Sequence, residues 1–276
     1  MKFASFRREG RDGFGEVRGD RLIDLTSPAT PDLKTALASG GLPAAIEGAA
    51  SYALSDVILL PPIPNPAKIF CVGLNYEEHR TETGRAVSAY PTIFTRFADA
   101  QVGHGAPLIR PLASSDYDFE GELAVVIGAP GRRIAEKDAF DHVAGYACFN
   151  DGSIRDWQAH SHQFTPGKNF PGSGAFGPWL VTPDEIADLQ AVRLITRLNG
   201  QVVQQATVAQ MIFSIPRIIA YISSFTRLEP GDVIATGTPG GVGAKRIPPL
   251  WMKAGDLVEV EISGVGLLAN WVIDEI

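Results

Sequence analysis

The chain has 276 residues and an apolar content of 45%, which is enough for one large domain or for a large domain with a small appendage. A formal net charge of −7, with no window that concentrates Lys and Arg among aromatic residues, argues against a nucleic-acid partner. No apolar run is long enough to cross a bilayer, and the charged N-terminus lacks the apolar region of a signal peptide. We therefore expect a cytoplasmic protein with neither a nucleic-acid nor a membrane partner.

The first third of the chain mixes short elements. Strand-like pieces alternate with a helical segment over 32–50, which is rich in small residues. A cluster of prolines follows that can continue neither a helix nor a central strand. The prolines are Pro61, Pro62, Pro64 and Pro66. We place a small N-terminal α+β region at 1–66 and the main domain at 67–276.

Strand-like runs dominate the main domain. Asn199-Gly200 joins two of them and favours a type I′ hairpin turn. One helix stands out near "IPRIIAYISSF", where Pro216 implies either a first-turn position or a kink. Many strands without regular βαβ alternation predict an α+β protein built as an antiparallel or mixed-sheet roll.

The stretch "DYDFEGELAVVIG" carries two acids on a strand-like run. Because side chains alternate across a strand, Glu120 and Glu122 share one face with Ala124 and Val126. Such a pair needs water, a proton or a cation between its carboxylates. The alternative interpretation is an edge strand with a solvated acidic face.

A third acid, Asp151, follows the strand-like run "HVAGYACF" where a loop begins. Three carboxylates without Cys or His at metal spacing would select a hard divalent ion, Mg²⁺ or Mn²⁺, over Zn²⁺. The sequence therefore predicts a metal site of Glu120, Glu122 and Asp151.

Two further motifs offer reactive groups. His79 and Glu82 are three residues apart, so on a helical turn they can touch and form a general-base pair. Lys168 lies among Pro, Gly and aromatic residues, where its charge could act on a reacting carbonyl or carbanion. The alternatives are a surface histidine near a chance acid and a surface lysine.

The stretch "EPGDVIATGTPGGVGAK" combines a strand with a Gly-rich loop. It fails the pattern of a phosphate-binding loop, because Ala244 precedes Lys245 and no Ser or Thr follows. A loop that binds a carboxylate through its N–H groups is the better functional interpretation, with a plain turn as the alternative. No G-x-S-x-G motif and no activated Cys occur, so acyl-enzyme chemistry is not expected.

Six blocks, in order and spacing, resemble the fumarylacetoacetate hydrolase family, particularly its acylpyruvate hydrolase and isomerase-like branch. They run from about Lys68 to the C-terminus as "VGLNYEEH", "FEGELAVVIG", "GYACFNDGSIRDWQ", "GKNF", "MIFSIPRIIAYIS" and "LEPGDVIATGTPGGVG". The resemblance implies a mixed β-sandwich roll and a homodimer.

The resemblance also implies site roles. Glu120, Glu122 and Asp151 match the family's metal ligands, and His79 with Glu82 its catalytic dyad. Lys168 matches the lysine over the reaction centre. Polar positions expected to contact substrate are Arg155, Gln158 and Thr238. The chain departs from the common pattern at Arg96, where relatives carry lysine, and at Gln210, where they carry an acid, both in regions expected near the substrate.

We therefore predict a hydrolase that uses Mg²⁺ or Mn²⁺ to cleave a C–C bond in a small β-diketo acid, of the acylpyruvate or fumarylpyruvate type met in aromatic catabolism. The reaction would pass through an enolate that the metal stabilises. Decarboxylation of a β-keto acid, keto–enol isomerisation and isomerisation of a 2-hydroxy-diene-dioate are alternatives on the same site, as is a dehydratase or lactonase acting on sugar-derived keto acids. A non-catalytic metal-binding protein is a third hypothesis.

Overall fold

The computed structural model describes residues 1–44 and 48–276. Its α-helices are short, and four of them have six residues or fewer. They are α1 (Leu33–Ala38), α2 (Glu77–Glu82), α3 (Arg155–Gln158), α4 (Thr165–Lys168) and α5 (Ile215–Phe225). No helix in this described part of the chain has the length and apolarity needed to span a membrane.

The strands of the first half alternate with loops and short 3₁₀ turns. They are β1 (Lys2–Arg8), β2 (Arg11–Arg18), β3 (Arg21–Asp24), β4 (Ser51–Ala53), β5 (Ile58–Leu59), β6 (Ile69–Gly73), β7 (Thr92–Arg96), β8 (Gln101–Val102), β9 (Leu108–Arg110), β10 (Tyr117–Asp118) and β11 (Gly121–Ile127). The second half adds β12 (Val143–Asn150), β13 (Ser153–Ile154), β14 (Gly174–Val181), β15 (Arg193–Leu198), β16 (Gln201–Thr207), β17 (Val233–Ala235), β18 (Leu257–Ile262) and β19 (Gly266–Asp274).

These strands form two main sheets. The large sheet runs β4-β3-β2-β1-β14-β12-β11-β17-β6-β7, with β5 on β1 and β8 on β14. The small sheet runs β16-β15-β18-β19-β9, and β10 pairs with β13 separately. Most pairs are antiparallel, but β17 with β6, β19 with β9 and β14 with β8 are parallel. The predicted α+β mixed-sheet roll is confirmed.

The N-terminal strands extend the large sheet. β1 pairs with β14 through Lys2↔Val181 and Phe3↔Leu180. Helix α1 begins after Asp32, whose side chain accepts a hydrogen bond from the Thr35 N–H at 2.7 Å. It ends at Ala38, well before the end of the predicted helical segment, and residues 45–47 of that segment lie outside the described chain. The division at residue 66 stays a prediction.

The two faces of β11 pack into different cores, as the alternating pattern predicted. Leu123, Val125 and Ile127 join the core that α5 and the small sheet cover. Ala124 and Val126 join the core that α1 covers on the opposite face. The acids at the start of this strand therefore share the second face, while Gly121 faces the small sheet.

Two local predictions are confirmed. Asn199 and Gly200 form a two-residue turn with φ of 52° and 79°, as a type I′ hairpin requires. Pro216 lies in the first turn of α5, after the Ser214 side chain that caps the helix. The helix consequently needs no kink to accommodate its proline.

Candidate active site

A cavity of about 970 Å³ opens at the ends of β11, β12 and β17. Its floor contains the first two acids of the predicted metal site, and its walls come from the segments that follow β6, β12 and β17. Predicted site residues that line it are His79, Glu120, Glu122, Arg155, Gln158, Lys168 and Thr238. Long-range pairing of strands thus brings together groups that are far apart in the chain.

The three predicted metal ligands meet at adjoining strand ends. Glu120 precedes β11 and Asp151 follows β12, and the Asp151 N–H donates to the Glu120 carbonyl oxygen at 2.8 Å. One ligand oxygen from each of Glu120, Glu122 and Asp151 lies within 4.8 Å of the others. All three side chains are buried, so the alternative of a solvated acidic face does not hold.

Lys168 bridges two of these acids. It is the last residue of α4 and only 1% exposed, so it is not a surface lysine. Its Nζ lies 2.6 Å from Glu120 Oε2 and 2.7 Å from Asp151 Oδ2, and 5.0 Å from the centre of the Phe94 ring. Burial alone would lower the pKa of Lys168, but Asp151 and Glu120 outweigh it and raise that pKa. Lys168 is therefore a fixed cation in the site.

Two arginines occupy the remaining oxygens of the same acids. Arg155 Nη2 lies 2.6 Å from Glu120 Oε1, and Arg96 Nη1 lies 2.5 Å from Asp151 Oδ1. Burial opposes ionisation of Glu120, yet Arg155, Lys168 and His79 hold its pKa well below the usual range. Glu120 is a charged carboxylate at neutral pH.

Glu122 differs from its neighbours. Its Oε2 accepts a hydrogen bond from the Gly237 N–H at 2.7 Å, and no Lys, Arg or His within the described residues forms an ion pair with it. Burial, followed by Asp151 and Glu120, raises the pKa of Glu122 well above its usual value. A buried carboxylate that lacks a cation, beside two others, fits a hard divalent ion.

The predicted contact between His79 and Glu82 forms on α2, and its role as a general base stays a prediction. His79 Nδ1 lies 2.7 Å from Glu82 Oε1, and the other Glu82 oxygen accepts a hydrogen bond from the Gly241 N–H at 2.9 Å. His79 is 6% exposed, so the alternative of a surface histidine does not hold. Since Glu82 can accept a hydrogen bond from Nδ1–H, Nε2 is the ring nitrogen left for proton transfer.

Arg155 and Gln158 lie on α3 at the side of the cavity. Arg155 Nε lies 2.8 Å from Asp118 Oδ2, and its Nη1 donates to Gln158 Oε1 at 2.9 Å. The guanidinium therefore links Asp118, Glu120 and Gln158. A substrate role for Arg155 and Gln158 stays a prediction.

Thr238 follows β17 at the cavity wall. Its hydroxyl donates to the Gly121 carbonyl oxygen at 3.0 Å and accepts a hydrogen bond from Gln204 Nε2 at 2.8 Å. The hydroxyl hydrogen is thus already engaged by the backbone of β11. A carboxylate-binding role for this residue stays a prediction.

Sequence reasoning missed three buried polar residues beside the site. Asp118 accepts hydrogen bonds from the Gly243 and Ala244 N–H groups, at 2.7 and 3.0 Å. In the sequence Arg96 stands out only as a departure from the family pattern, and Gln204 has the pattern of an ordinary strand residue. The acid Asp118, two positions before Glu120 in a strand-like run, was a signal that could have been followed.

Gln210 lies elsewhere than expected. It is exposed, and its side-chain oxygen accepts a hydrogen bond from the Thr207 N–H at 2.7 Å in a capping box. It is not among the residues that line the cavity. The glutamine that replaces the family's acid at position 210 therefore forms a local hydrogen bond in the segment before α5 and does not contribute to the cavity.

A mixed-sheet roll with a buried carboxylate triad that could hold a divalent ion, beside an oriented histidine, defines the class of the protein as an enzyme. The profile of the family described as fumarylacetoacetate (FAA) hydrolase C-terminal matches residues 68–273. The chain belongs to this family, which confirms the resemblance found in the sequence.

Three relatives are similar to this chain over most of its length. A mitochondrial oxaloacetate tautomerase of Xenopus laevis is 45% identical over 221 residues, 79% of this chain and 69% of the relative. The oxaloacetate tautomerase YisK of Bacillus subtilis is 41% identical over 227 residues, 81% of this chain and 75% of the relative. A solved fumarylacetoacetate hydrolase from Exiguobacterium antarcticum is 35% identical with a TM-score of 0.90, and the match covers 100% of both chains.

Proposed function

We propose that this protein is a divalent-metal-dependent tautomerase that interconverts the enol and keto forms of a small 2-keto dicarboxylate of the oxaloacetate type. The observation that carries the proposal is His79, fixed by Glu82 at 2.7 Å, on a cavity that the carboxylates Glu120 and Glu122 also line. Tautomerisation needs one proton to move between carbon and oxygen, and an oriented imidazole is suited to that task.

The charge of the cavity wall supports an anionic substrate. Among the described residues that line the cavity, the only acids are Glu120 and Glu122 at the floor. The other charged groups are cationic, namely Arg85, Arg155, Lys168 and Lys245. A dicarboxylate would therefore be attracted to the walls, while its keto end could approach the triad.

The protein groups have separable tasks in this proposal. A divalent ion held by Glu120, Glu122 and Asp151 would supply a Lewis acid that favours negative charge on the keto oxygen. His79 takes the proton from the carbon next to the carbonyl through Nε2 and returns it to oxygen, or the reverse. Glu82 keeps the imidazole in the required tautomer, and Lys168 adds positive charge beside the developing oxyanion. The rings of Phe94 and Phe164 line the wall and limit access of water.

The test is a rate measurement on enolic oxaloacetate. We expect the protein with Mg²⁺ to accelerate the decay of the enol ultraviolet band, with oxaloacetate still intact by mass spectrometry. His79→Gln should reduce kcat by about 10²-fold or more, because it removes the proton-transferring group. The matched control is His142→Gln, a change at a histidine outside the cavity lining, which should leave the rate unchanged. No acceleration by the wild-type protein would overturn the proposal.

Cleavage of a C–C bond is the second candidate. The His79–Glu82 pair that favours it could equally take a proton from an attacking water molecule. Release of pyruvate from an acylpyruvate, without acceleration of the enol decay, would identify the hydrolase. Formation of CO₂ and pyruvate from oxaloacetate would instead identify a decarboxylase.

A further inference from the structure

Gln204 lies behind the metal site on the small sheet. It belongs to β16, is 2% exposed, and sends its side chain to the loop after β17 and to the strand that carries the acids. Its Oε1 accepts the Gly121 N–H at 3.0 Å, and its Nε2 donates to Thr238 Oγ1 at 2.8 Å and to the Pro239 carbonyl oxygen at 2.9 Å. Both donors of Nε2 and the oxygen Oε1 are therefore bonded to segments that border the site.

We infer that Gln204 is a positioning residue that fixes the orientation of Glu120 and Glu122 and thereby sets the affinity for the metal. The inference rests on the metal site of the proposed function and extends it to a residue that does not line the cavity.

The first step of the argument is the position of Gly121. It separates the two glutamates, so any rotation of its peptide groups moves both carboxylates. β17 pairs with β11 only from Ala124 to Val126, so it supplies no partner for Gly121. The Gln204 side chain accepts from the N–H of Gly121, and the Thr238 hydroxyl donates to its carbonyl oxygen.

The second step is closure of the network. Gln204, Thr238 and Gly121 are joined pairwise by three hydrogen bonds, all of them buried. Buried polar groups that satisfy one another hold a single arrangement, since any other leaves a donor or acceptor unpaired at a cost in free energy.

The third step is the tight packing of the same residue. A Cβ on Gly121 would lie 2.0 Å from Thr196 Oγ1, on strand β15 of the small sheet that packs against β11. The backbone therefore lies directly against the small sheet and cannot shift toward it. Hydrogen bonds to its peptide groups and close packing against Thr196 hold Gly121 in one position. The backbone of the two neighbouring glutamates is thereby held as well.

The experiment measures binding of Mn²⁺ to the whole protein, from the electron paramagnetic resonance signal of the free ion. Gln204→Met keeps the length of the side chain and removes its hydrogen bonds. We expect the Mn²⁺ dissociation constant to rise about tenfold or more, as for other groups that orient metal ligands. The matched control is Gln205→Met, because Gln205 is exposed on the other face of the same strand and should leave the constant unchanged.

The outcomes separate this inference from the proposed function. Failure of the wild-type protein to bind Mn²⁺ would remove the metal site and both proposals with it. Binding by the wild-type protein and equal binding by Gln204→Met would overturn only the role of Gln204. If Gln204→Met lowers the melting temperature but leaves the Mn²⁺ affinity unchanged, Gln204 only stabilises the fold, and its role as a positioning residue is likewise overturned.

A second variant keeps the test decisive if Gln204→Met does not fold. Thr238→Val breaks the same network from the other side and should also weaken Mn²⁺ binding. When all variants fold, the double variant should bind no more weakly than about the poorer single one, because both changes disrupt one unit. Unchanged affinity in Thr238→Val, or strictly additive losses in the double variant, would overturn the inference.

Discussion

The carboxylate triad divides into two halves, one formed by Glu120 and Asp151 and the other by Glu122. The two halves are stabilised in opposite ways. Glu120 and Asp151 contact Lys168 and two arginines, so each of their oxygens lies next to a cation. Glu122 accepts one backbone hydrogen bond, from Gly237, and forms no ion pair within the described chain. The first half supports the fold, whereas the second half is the part that a bound ion would satisfy. Substitutions can separate these two roles.

The largest effect is expected in the cation-rich half. Asp151→Asn leaves Arg96 and Lys168 buried and short of a partner, which should lower the free energy of unfolding by about 3 kcal/mol. The measurement is urea unfolding in the presence of a chelator. Asp256→Asn is the control, since Asp256 is also buried but bonds the Lys253 N–H and Asn199 instead of a cation. Equal losses in the two variants would contradict the comparison.

Metal should stabilise the wild-type protein by nearly as much. Mg²⁺ at about a hundred times its dissociation constant should raise the free energy of unfolding by about 2.7 kcal/mol, because it binds only the folded state. The same titration on Glu122→Gln should give little or no increase. A full increase in that variant would show that Glu122 is not required for the ion.

A smaller and opposite effect is expected for Glu122→Gln without metal. Removal of a buried carboxylate next to two others relieves desolvation and repulsion, so the metal-free variant should be more stable by about 1 kcal/mol. Chemical unfolding with chelator at rising pH measures this difference, which should grow with pH because burial raises the pKa of Glu122 in the folded state. Destabilisation comparable to that of Asp151→Asn would show that the two halves are alike.

The smallest effect is expected outside both halves. Gln210→Ala removes the bond from the Thr207 N–H and should cost about 0.5 to 1 kcal/mol. Thermal unfolding gives the cost, and kcat/KM on enolic oxaloacetate should be unchanged. A drop in kcat/KM would place Gln210 in substrate recognition after all.

Local patterns predicted the parts of the site that depend on short-range geometry. Alternation along "FEGELAVVIG" placed Glu120 and Glu122 on one face, and helical spacing brought His79 to Glu82. Asn199-Gly200 and Pro216 likewise carry their conformations in their own covalent structure. Such features need no knowledge of the rest of the chain.

The supporting residues could not be predicted in this way. Arg96 meets Asp151 across 55 positions, and Gln204 meets Gly121 across 83. The first contact depends on how β7 and β12 are placed in the large sheet, and the second on how the hairpin β15–β16 packs on that sheet. No local period encodes either arrangement. The Lys168 contacts to Glu120 and Asp151 required the same information, although the residue itself was singled out.

The contact between Gly121 and Thr196 has an evolutionary consequence. Two positions that share one small space cannot enlarge independently, so a homologue with a side chain at the first should carry a smaller residue at the second. In a library that randomises both codons, active clones with Ala at 121 should be enriched in Gly or Ala at 196, which lack the hydroxyl that would meet the new Cβ. The pair would then mark, in sequences alone, how closely one sheet approaches the other.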